Sequence, residues 1–259
     1  MFQVSDLQIG KVDGDGTDGI LLAFRAALAR AVARCADAID RHGVTEIFIP
    51  FAGDCIEGWS SQGGKLAYRT DLTVVEQRAV FERVLYETVA AFAVFGIRVK
   101  VVVVNGNHDR STNALNTNPG DGWATSAADS LRNGLALNPA AYGHIEVHTP
   151  HPERGHLTLA VLDTVFTVIH GHQWTRTQGG IKWWMEQVFH GRAPAGSHIL
   201  VHGHEHVFSL EATEDRFRIC SPTFDGGSGY WEELHSAKSR RGGLTYVTLG
   251  RHPIEITLV

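Results

Sequence analysis

The amino-acid sequence predicts an α/β fold in which two facing mixed sheets are flanked by helices. In the first half of the chain, apolar runs alternate with long amphipathic patterns, an order typical of a parallel sheet with crossover helices. In the second half, short strand-like segments dominate. The 259 residues contain no internal repeat and no clear linker, so we expect a single domain over residues 1–259.

Two long helices are predicted in the first half. Residues 20–42 place apolar side chains at helical spacing before Gly43, and residues 72–95 do the same before Gly96. The strands are predicted at residues 1–4, 44–51 and 97–104. The last strand has the clearest signal, because its β-branched run ends abruptly in a polar turn. Buried parallel strands of this kind deliver ligand-binding loops at their carboxyl ends.

The second half combines short strands with two further helices. The helices are predicted at residues 121–137 and 180–190. The strands are predicted at residues 144–148, 157–162, 165–169, 197–201, 207–211, 216–220, 244–249 and 254–259. We expect most of these strands to pair antiparallel, and residues 222–243 to form a long loop.

Composition excludes several classes of protein. The net charge is −5 with histidine neutral, so the chain lacks the overall positive charge typical of nucleic-acid binding. No apolar run is long enough for a membrane helix and no secretory leader is recognisable, so we expect a cytoplasmic protein without a membrane partner. The three cysteines are widely separated and fit reduced thiols. The anomaly is the count of 15 histidines, many of them beside glycine.

Metal-ligand residues follow five of the predicted strands. These loops carry Asp6 and Gln8, Asp54, the run Asn107-His108-Asp109, His170, and finally His204 and His206. Any one of the loops could be an ordinary polar turn. Together they offer carboxylate, amide and imidazole donors without thiolate, a set that suits manganese, iron(II) or zinc. A shared carboxylate with two nitrogen-and-oxygen ligand sets is the composition of a two-metal phosphoryl-transfer site.

The ordered series resembles the calcineurin-like metallophosphoesterase superfamily. The matching segments are Asp6-x-Gln8, Gly53-Asp54, Gly106-Asn107-His108-Asp109, His170 and Gly203-His204-Glu205-His206, and they span residues 5–206. The resemblance implies a four-layer α/β/β/α sandwich with two divalent ions, for which we expect Mn2+, with Fe2+, Zn2+ or Mg2+ as alternatives. It also implies hydrolysis by a hydroxide that bridges the two ions.

Roles are carried over position by position. The resemblance implies that Asp6, Gln8 and His206 hold one ion, which we call site 1. Asn107, His170 and His204 would hold the other ion, which we call site 2, and Asp54 would bridge the two. His108 would face the scissile phosphate and stabilise or protonate the leaving group, with Asp109 orienting it. One departure matters: Gln8 stands where the family has histidine, and a glutamine coordinates only through its weaker carbonyl oxygen.

Within the superfamily, the chain looks most like the DNA double-strand-break repair exonucleases, including viral relatives. This likeness rests on residues 5–11, the loop after Gly53-Asp54, the segment His170-Gly171-His172 and, more loosely, residues 222–228. It implies a manganese-dependent DNA nuclease with exonuclease or endonuclease action. The missing positive charge would then come from a partner subunit, an additional domain or a second copy in a homodimer.

Candidate substrate contacts can be named, each with an alternative interpretation. Lys182 beside Trp183 and Trp184 pairs a cation with stacking rings, as grooves for single strands do, although the tryptophans could equally be core residues. A basic cluster contains Lys238, Arg240 and Arg241, which could grip phosphates or be a solvated charge run. Arg110 and Trp59 complete the set, since each follows a predicted site loop.

Two other functions remain open at this point. The first is a small-molecule or cyclic-nucleotide phosphodiesterase, whose pocket Trp59, Tyr68 and Trp231 would cap. The second is a binding module that has lost its metals, for which Gln8 is the only support. Among the remaining histidines, His172 could replace His170 as a ligand or line the pocket. His202 is expected to point away from the metals, because alternate strand residues face opposite sides.

Overall fold

A computed structural model describes residues 1–59, 70–112, 116–175, 177–227 and 240–259. Its strands are β1 (Phe2–Gln3), β2 (Glu46–Ala52), β3 (Arg98–Val104), β4 (Ile145–His148), β5 (His156–Val161), β6 (Thr164–Ile169), β7 (Ile199–His202), β8 (Ser209–Ala212), β9 (Phe217–Cys220), β10 (Leu244–Leu249) and β11 (His252–Leu258). Its helices are α1 (Gly16–His42), α2 (Val74–Ala93), α3 (Trp123–Ala136), the short α4 (Pro139–Tyr142) and α5 (Gly179–Phe189).

The first sheet has the strand order β11-β10-β1-β2-β3-β4. It is formed from two three-stranded ladders that meet where β1 runs beside β2. There Val4 pairs in parallel with Phe51, the Val4 amide donates to the carbonyl of Pro50 at 2.9 Å, and the Ala52 amide donates to the carbonyl of Val4 at 2.8 Å. Strands β1 to β4 are parallel, so the chain segments after β1, β2 and β3 leave the sheet at the same edge.

Helices α1, α2 and α3 cover the outer face of this sheet. Their apolar stripes meet the sheet in one core cluster, in which Phe24, Phe81 and Leu131 are fully buried. Helix α1 ends at Gly43, whose φ of 63° lets its amide donate back to Ile39. Helix α2 begins with a capping box between Thr73 and Glu76. Both helix ends therefore satisfy backbone groups that a helix leaves unpaired.

The second sheet has the strand order β5-β6-β7-β9-β8. Its central strands β6, β7 and β9 are parallel, and only the two edge pairs are antiparallel. Half of the pairs in this sheet are therefore parallel. Over the second half of the chain the antiparallel pairs still predominate, because β10 pairs antiparallel with both β1 and β11. The connection from β6 to β7 contains α5, and such a helical crossover joins parallel strands. Helix α5 packs on the outer face, where Trp183 and Trp184 are buried with Trp174.

The inner faces of the two sheets form a second core cluster. Phe48 of β2 meets Phe166 of β6 with ring centroids 4.8 Å apart, and Tyr246 and Val201 are buried in the same layer. Helices, sheet, sheet and helix thus stack in the predicted α/β/β/α order. Every predicted helix and strand is present, with ends displaced by at most four residues. In the described part of the chain, no helix is long and apolar enough to span a membrane.

Candidate metal centre

The five polar loops meet where parallel strands of both sheets end. They follow β1, β2 and β3 of the first sheet and β6 and β7 of the second. Backbone hydrogen bonds hold the loops together: the Asp6 amide donates to Gly53 at 3.0 Å, and the Gly203 amide donates to His170 at 2.9 Å. The two sheets are joined directly by His170, whose Nδ1–H donates to the carbonyl of Ala52 at 2.8 Å. The loops therefore form one framework.

The backbone of this framework is strained at the predicted ligands. Eight non-glycine residues in the described chain have positive φ angles, and five of them are Asp6, Gln8, Asp54, His204 and His206. A non-glycine residue in this region costs on the order of 1–3 kcal/mol, and such residues cluster at functional sites. The strain falls on residues whose side chains converge, which supports a functional role for the cluster.

Site 2 presents donor atoms that suit a divalent ion. One ligand atom from each of Asp54, His170 and His204 lies within 4.8 Å of the others. The Asn107 Oδ1 and His170 Nε2 atoms are buried and make no hydrogen bond among the described residues. Since His170 donates its Nδ1–H to Ala52, its Nε2 is the atom left to coordinate, the arrangement usual for metal-binding histidines. The residues of site 2 therefore fit a metal ion.

Paired charges balance each other within this cluster. The His170 Nε2 atom lies 3.0 Å from Asp54 Oδ2. Burial alone would lower the pKa of His170, but the charges of Asp54 and Asp6 raise it to about 9. Burial likewise opposes ionisation of Asp54, yet His170 and His108 hold the pKa of this carboxyl well below its usual range. An arriving metal ion would displace the imidazole proton and take over its charge.

Two glycines allow the loops to approach this closely. A Cβ atom at Gly106 would lie 2.0 Å from Asp54 Oδ1, and a Cβ atom at Gly203 would lie 2.2 Å from Asp6 Oδ2. Both distances are far inside van der Waals contact, so any side chain would push the carboxylates out of place. The predicted motifs need glycine here because a ligand side chain fills the space that a Cβ would take.

Site 1 is assembled differently. His206 lies between two carboxylates, with Nε2 3.2 Å from Asp6 Oδ1 and Nδ1 3.3 Å from Asp225 Oδ2. Burial would lower the pKa of His206, but Asp6 and Asp225 raise it to about 10. Asp6 Oδ2 is already used, since it accepts from the Ser5 hydroxyl and the His204 amide. Asp6 Oδ1 and His206 Nε2 are thus the donor atoms that site 1 offers.

Gln8 does not complete site 1. Its Oε1 atom accepts a hydrogen bond from the Lys11 ammonium at 3.1 Å, and the same Nζ atom lies 3.1 Å from Asp225 Oδ2. An ammonium group only donates, so the amide oxygen of Gln8 is turned towards Lys11. The Gln8 amide nitrogen is itself a donor and cannot coordinate a cation. Site 1 therefore fits a metal ion less well than site 2.

His108 faces the centre, but Asp109 does not orient it. The His108 Nε2 atom lies 4.0 Å from Asp54 Oδ2, and Nδ1 lies 3.0 Å from the backbone oxygen of Glu57. The Glu57 carboxylate lies 3.6 Å from the same Nδ1. Glu57 thus holds the position beside His108 that the family resemblance implied for Asp109. Its place in the turn after Asp54 was a usable signal, but only the folded loop brings it to His108.

The prediction that Asp109 acts on His108 is therefore wrong. Asp109 is fully buried, and its Oδ1 atom accepts from the amides of Cys55 at 3.0 Å and Ile56 at 3.2 Å. Its Oδ2 atom accepts from the Gly106 amide at 2.7 Å. These bonds use the carboxylate to join the β2 and β3 loops, so its role is to hold the loop that carries His108.

Arg110 and Trp59 lie beside the centre. Arg110 is exposed and lines a polar recess with Asn105, His172 and Asp121. Trp59 is 41% exposed and follows Gly58, which packs against the backbone of His108. The His172 ring is 5.5 Å from that of His170, and its Nδ1 atom is buried without a hydrogen bond among the described residues. His172 therefore lines the recess, while His170 contacts Asp54.

The predicted stacking role of Trp183 and Trp184 is contradicted, and Arg241 is engaged in other contacts, while Lys182 is exposed. Trp183 and Trp184 are 9% and 3% exposed within the core beneath α5, so they cannot stack on bases beside Lys182. Arg241 pairs with Asp15 at 2.7 Å and donates to the Phe224 carbonyl at 2.8 Å. These contacts hold the loop before Gly226, so the guanidinium group is engaged within the protein. Tyr68, Trp231 and Lys238 lie outside the described residues.

A further group of donors, His202, Glu205 and Cys220, does not fit a cation. The His202 Nε2 atom lies 2.6 Å from Arg218 Nη1, and its Nδ1–H donates to the Gly203 carbonyl at 2.8 Å. Burial and the Arg218 charge lower the pKa of His202 to about 3. A guanidinium group therefore lies where an ion would bind. His202 points away from sites 1 and 2 and supports the loop that carries His204.

Similarities to known proteins lie in the structure rather than in the sequence. No protein-family model and no curated protein matches the chain. An archaeal phosphodiesterase aligns with 100% of this chain and 98% of its own at a TM-score of 0.42 and 10% identity. The phosphoesterase YfcE from E. coli aligns over 99% and 97% at a TM-score of 0.39 and 13% identity. A mutant of Vps29 from Entamoeba histolytica aligns over 94% and 82% at a TM-score of 0.43 and 11% identity.

Proposed function

We propose that this chain is a metal-dependent hydrolase of phosphodiesters. The observation that carries the proposal is site 2, where Asp54, His170 and His204 bring one donor atom each within 4.8 Å of the others at strand ends. The His170 Nε2 atom faces the Asp54 carboxylate at 3.0 Å, and the Asn107 Oδ1 atom of the β3 loop is buried without a hydrogen bond among the described residues. A divalent ion bound there would polarise a phosphoryl oxygen and lower the pKa of water. Manganese is the metal we propose, because the donors are oxygen and imidazole without thiolate.

The chain's own groups would complete the reaction. His108 is held at Nδ1 by Glu57 and turns Nε2 towards the centre, so it can donate a hydrogen bond or a proton to the leaving oxygen. Its side chain is 18% exposed, which leaves it accessible to a substrate. Arg110, at the rim of the recess with His172, provides a positive charge for a second phosphate oxygen or a flanking phosphate.

Within this proposal, DNA is the specific phosphodiester substrate that we favour. The likeness of the site motifs to repair exonucleases supports it, and Arg110 supplies a cation beside the centre. The core position of Trp183 and Trp184 and the ion pair of Arg241 remove two of its earlier supports. With a net charge of −5, DNA binding would depend on a partner subunit or a second copy of the chain.

Hydrolysis of bis-p-nitrophenyl phosphate with Mn2+ tests the broad proposal. We expect activity in the wild type, loss by a factor of about 10²–10⁴ in His108→Ala, and unchanged Mn2+ binding in that variant. His190→Ala is the matched control, because His190 is exposed at the end of α5. Wild-type rates in His108→Ala would overturn the role of His108, and the absence of Mn2+ binding would favour a non-catalytic binding module.

Substrate choice needs a separate comparison. Linear double-stranded DNA, single-stranded DNA and a cyclic nucleotide should be assayed under the conditions that hydrolyse the small diester. Cleavage of either DNA, reduced in Arg110→Ala, would support the nuclease. Hydrolysis of the cyclic nucleotide and the small diester without DNA cleavage would reject the nuclease and establish the small-molecule alternative.

A further inference from the structure

Site 1 contains a positively charged side chain, the ammonium group of Lys11. The Lys11 Nζ atom lies 3.1 Å from Gln8 Oε1 and 3.1 Å from Asp225 Oδ2. Asp225 in turn contacts His206 Nδ1 at 3.3 Å, and His206 Nε2 contacts Asp6 Oδ1 at 3.2 Å. The four contacts form one chain from Gln8 to Asp6. No comparable lysine or arginine contact to Asn107 or His204 is present among the described residues.

These contacts are made largely out of water. The Lys11 side chain is 17% exposed and that of Asp225 is 3% exposed. A charge at this depth is screened much less than one at the surface. The ammonium group is therefore a fixed part of site 1, close to the atoms that would have to accept a divalent ion. The ammonium group disfavours ion binding in two ways: its charge repels a cation, and its hydrogen bond occupies the Gln8 oxygen.

A glutamine at position 8 allows the lysine to lie there. An imidazole at position 8 would offer a ring nitrogen to an ion. The glutamine amide instead offers an oxygen, which can accept a hydrogen bond from an ammonium group as readily as it can bind an ion. Gln8 has a φ of 50°, and the Lys11 amide donates to the Gln8 carbonyl at 3.0 Å. This tight turn brings the Lys11 side chain back towards Gln8. The two residues thus form a local pair.

We infer that the metal centre is asymmetric: site 2 binds a divalent ion tightly, and Lys11 weakens site 1 by holding the Gln8 oxygen and placing a positive charge beside Asp225. This inference rests on the proposed function, since it concerns the same centre. It implies that the protein with one ion bound is the predominant form at low metal concentration. Site 1 fills only when free metal is abundant.

Counting bound Mn2+ tests the asymmetry without an activity assay. Metal-free protein is titrated with Mn2+ while free Mn2+ is followed by electron paramagnetic resonance, and the two dissociation constants are fitted. In the wild type we expect the second ion to bind at least about tenfold more weakly than the first. Lys11→Met keeps the length of the side chain and removes its charge. In this variant we expect the gap, meaning the ratio of the second to the first dissociation constant, to shrink by about tenfold. Lys11→Gln provides a second neutral variant if the methionine disturbs folding.

Matched variants assign the effect. Lys11→Arg keeps the charge and should keep the gap, and Lys182→Met removes a lysine from α5 and should leave both constants unchanged. His206→Ala should abolish the weak binding while preserving the tight binding. Equal affinities in the wild type, or an unchanged gap in both neutral Lys11 variants, would overturn the inference. If two ions bind equally and the diester is hydrolysed, the proposed function stands; if no Mn2+ binds, both fail.

Discussion

Sites 1 and 2 contain similar candidate ligand residues but differ in what surrounds them. In site 2, His170 is oriented by a backbone carbonyl, and Asn107 Oδ1 is buried without a hydrogen bond among the described residues. In site 1, His206 is held by two carboxylates and the Gln8 oxygen is held by Lys11. The type of side chain alone therefore does not decide whether a donor atom can bind an ion. The neighbours determine whether a donor atom is available to an ion.

The largest effect is expected from His170→Ala, which removes a predicted ligand of site 2. We expect tight Mn2+ binding to be lost and hydrolysis of the small diester to fall by more than about 100-fold, because even changes to groups that only orient a ligand cost 10–100-fold. Titration calorimetry and steady-state kinetics measure the two effects. His148→Ala is the control, since His148 is at a strand end and pairs with Glu146.

Gln8→Ala provides the matched change in site 1. We expect its loss of total Mn2+ affinity to be at least about tenfold smaller than that of His170→Ala, because Gln8 is bonded to Lys11. Equal losses in the two variants would break the comparison and restore Gln8 as an ordinary ligand.

Glu57→Gln is expected to have the next largest effect. It removes the carboxylate 3.6 Å from His108 Nδ1 but keeps the backbone oxygen at 3.0 Å. We expect kcat to fall by about tenfold, a part of the 10²–10⁴ that a general acid contributes, with KM and Mn2+ affinity unchanged. Glu57→Asp should recover part of the rate. A change in metal affinity with normal kcat would show that Glu57 acts on the ions rather than on His108.

Asp109→Asn should change stability more than chemistry. The buried carboxylate accepts from the amides of Cys55, Ile56 and Gly106, and an asparagine would turn its own N–H groups towards some of these donors. Leaving one buried amide unpaired costs about 1–3 kcal/mol. Urea unfolding at neutral pH, with the exposed Asp129→Asn as control, measures the loss. Unchanged stability with a large fall in kcat would instead return Asp109 to a direct role with His108.

The sequence could predict the fold and the positions of the candidate ligands because both follow from strand pattern. Asp54, Asn107 and His170 come directly after apolar runs, and parallel strands bring such residues to a common edge. It could not predict Glu57, Lys11 or Asp225 as partners, because their contacts depend on left-handed backbone in the loops. The pattern around Trp183 was ambiguous, since an amphipathic helix presents the same spacing whether its rings pack in a core or face a groove.

The smallest effect is expected from an ion pair at the surface, which gives a scale for the buried Lys11–Asp225 pair. Glu255 contacts Arg41 through both carboxylate oxygens, at 2.7 and 2.8 Å, and His42 at 3.2 Å. Hydrogen bonding to Arg41 lowers the pKa of Glu255 from 4.5 to about 2. The folded state therefore binds fewer protons than the unfolded state between these values. The contribution to stability is present above pH 4.5 and disappears as the pH falls through 2.

Glu255→Gln should thus be slightly less stable than the wild type at pH 6, and the difference should vanish near pH 2. Urea unfolding across this range measures it, and exposed pairs of this kind contribute little. Both Mn2+ dissociation constants should stay unchanged, in contrast to the neutral Lys11 variants, because the charge at Glu255 is screened by water. A shift in Mn2+ affinity in Glu255→Gln would mean that net charge, rather than the buried Lys11 contact, distinguishes site 1 from site 2.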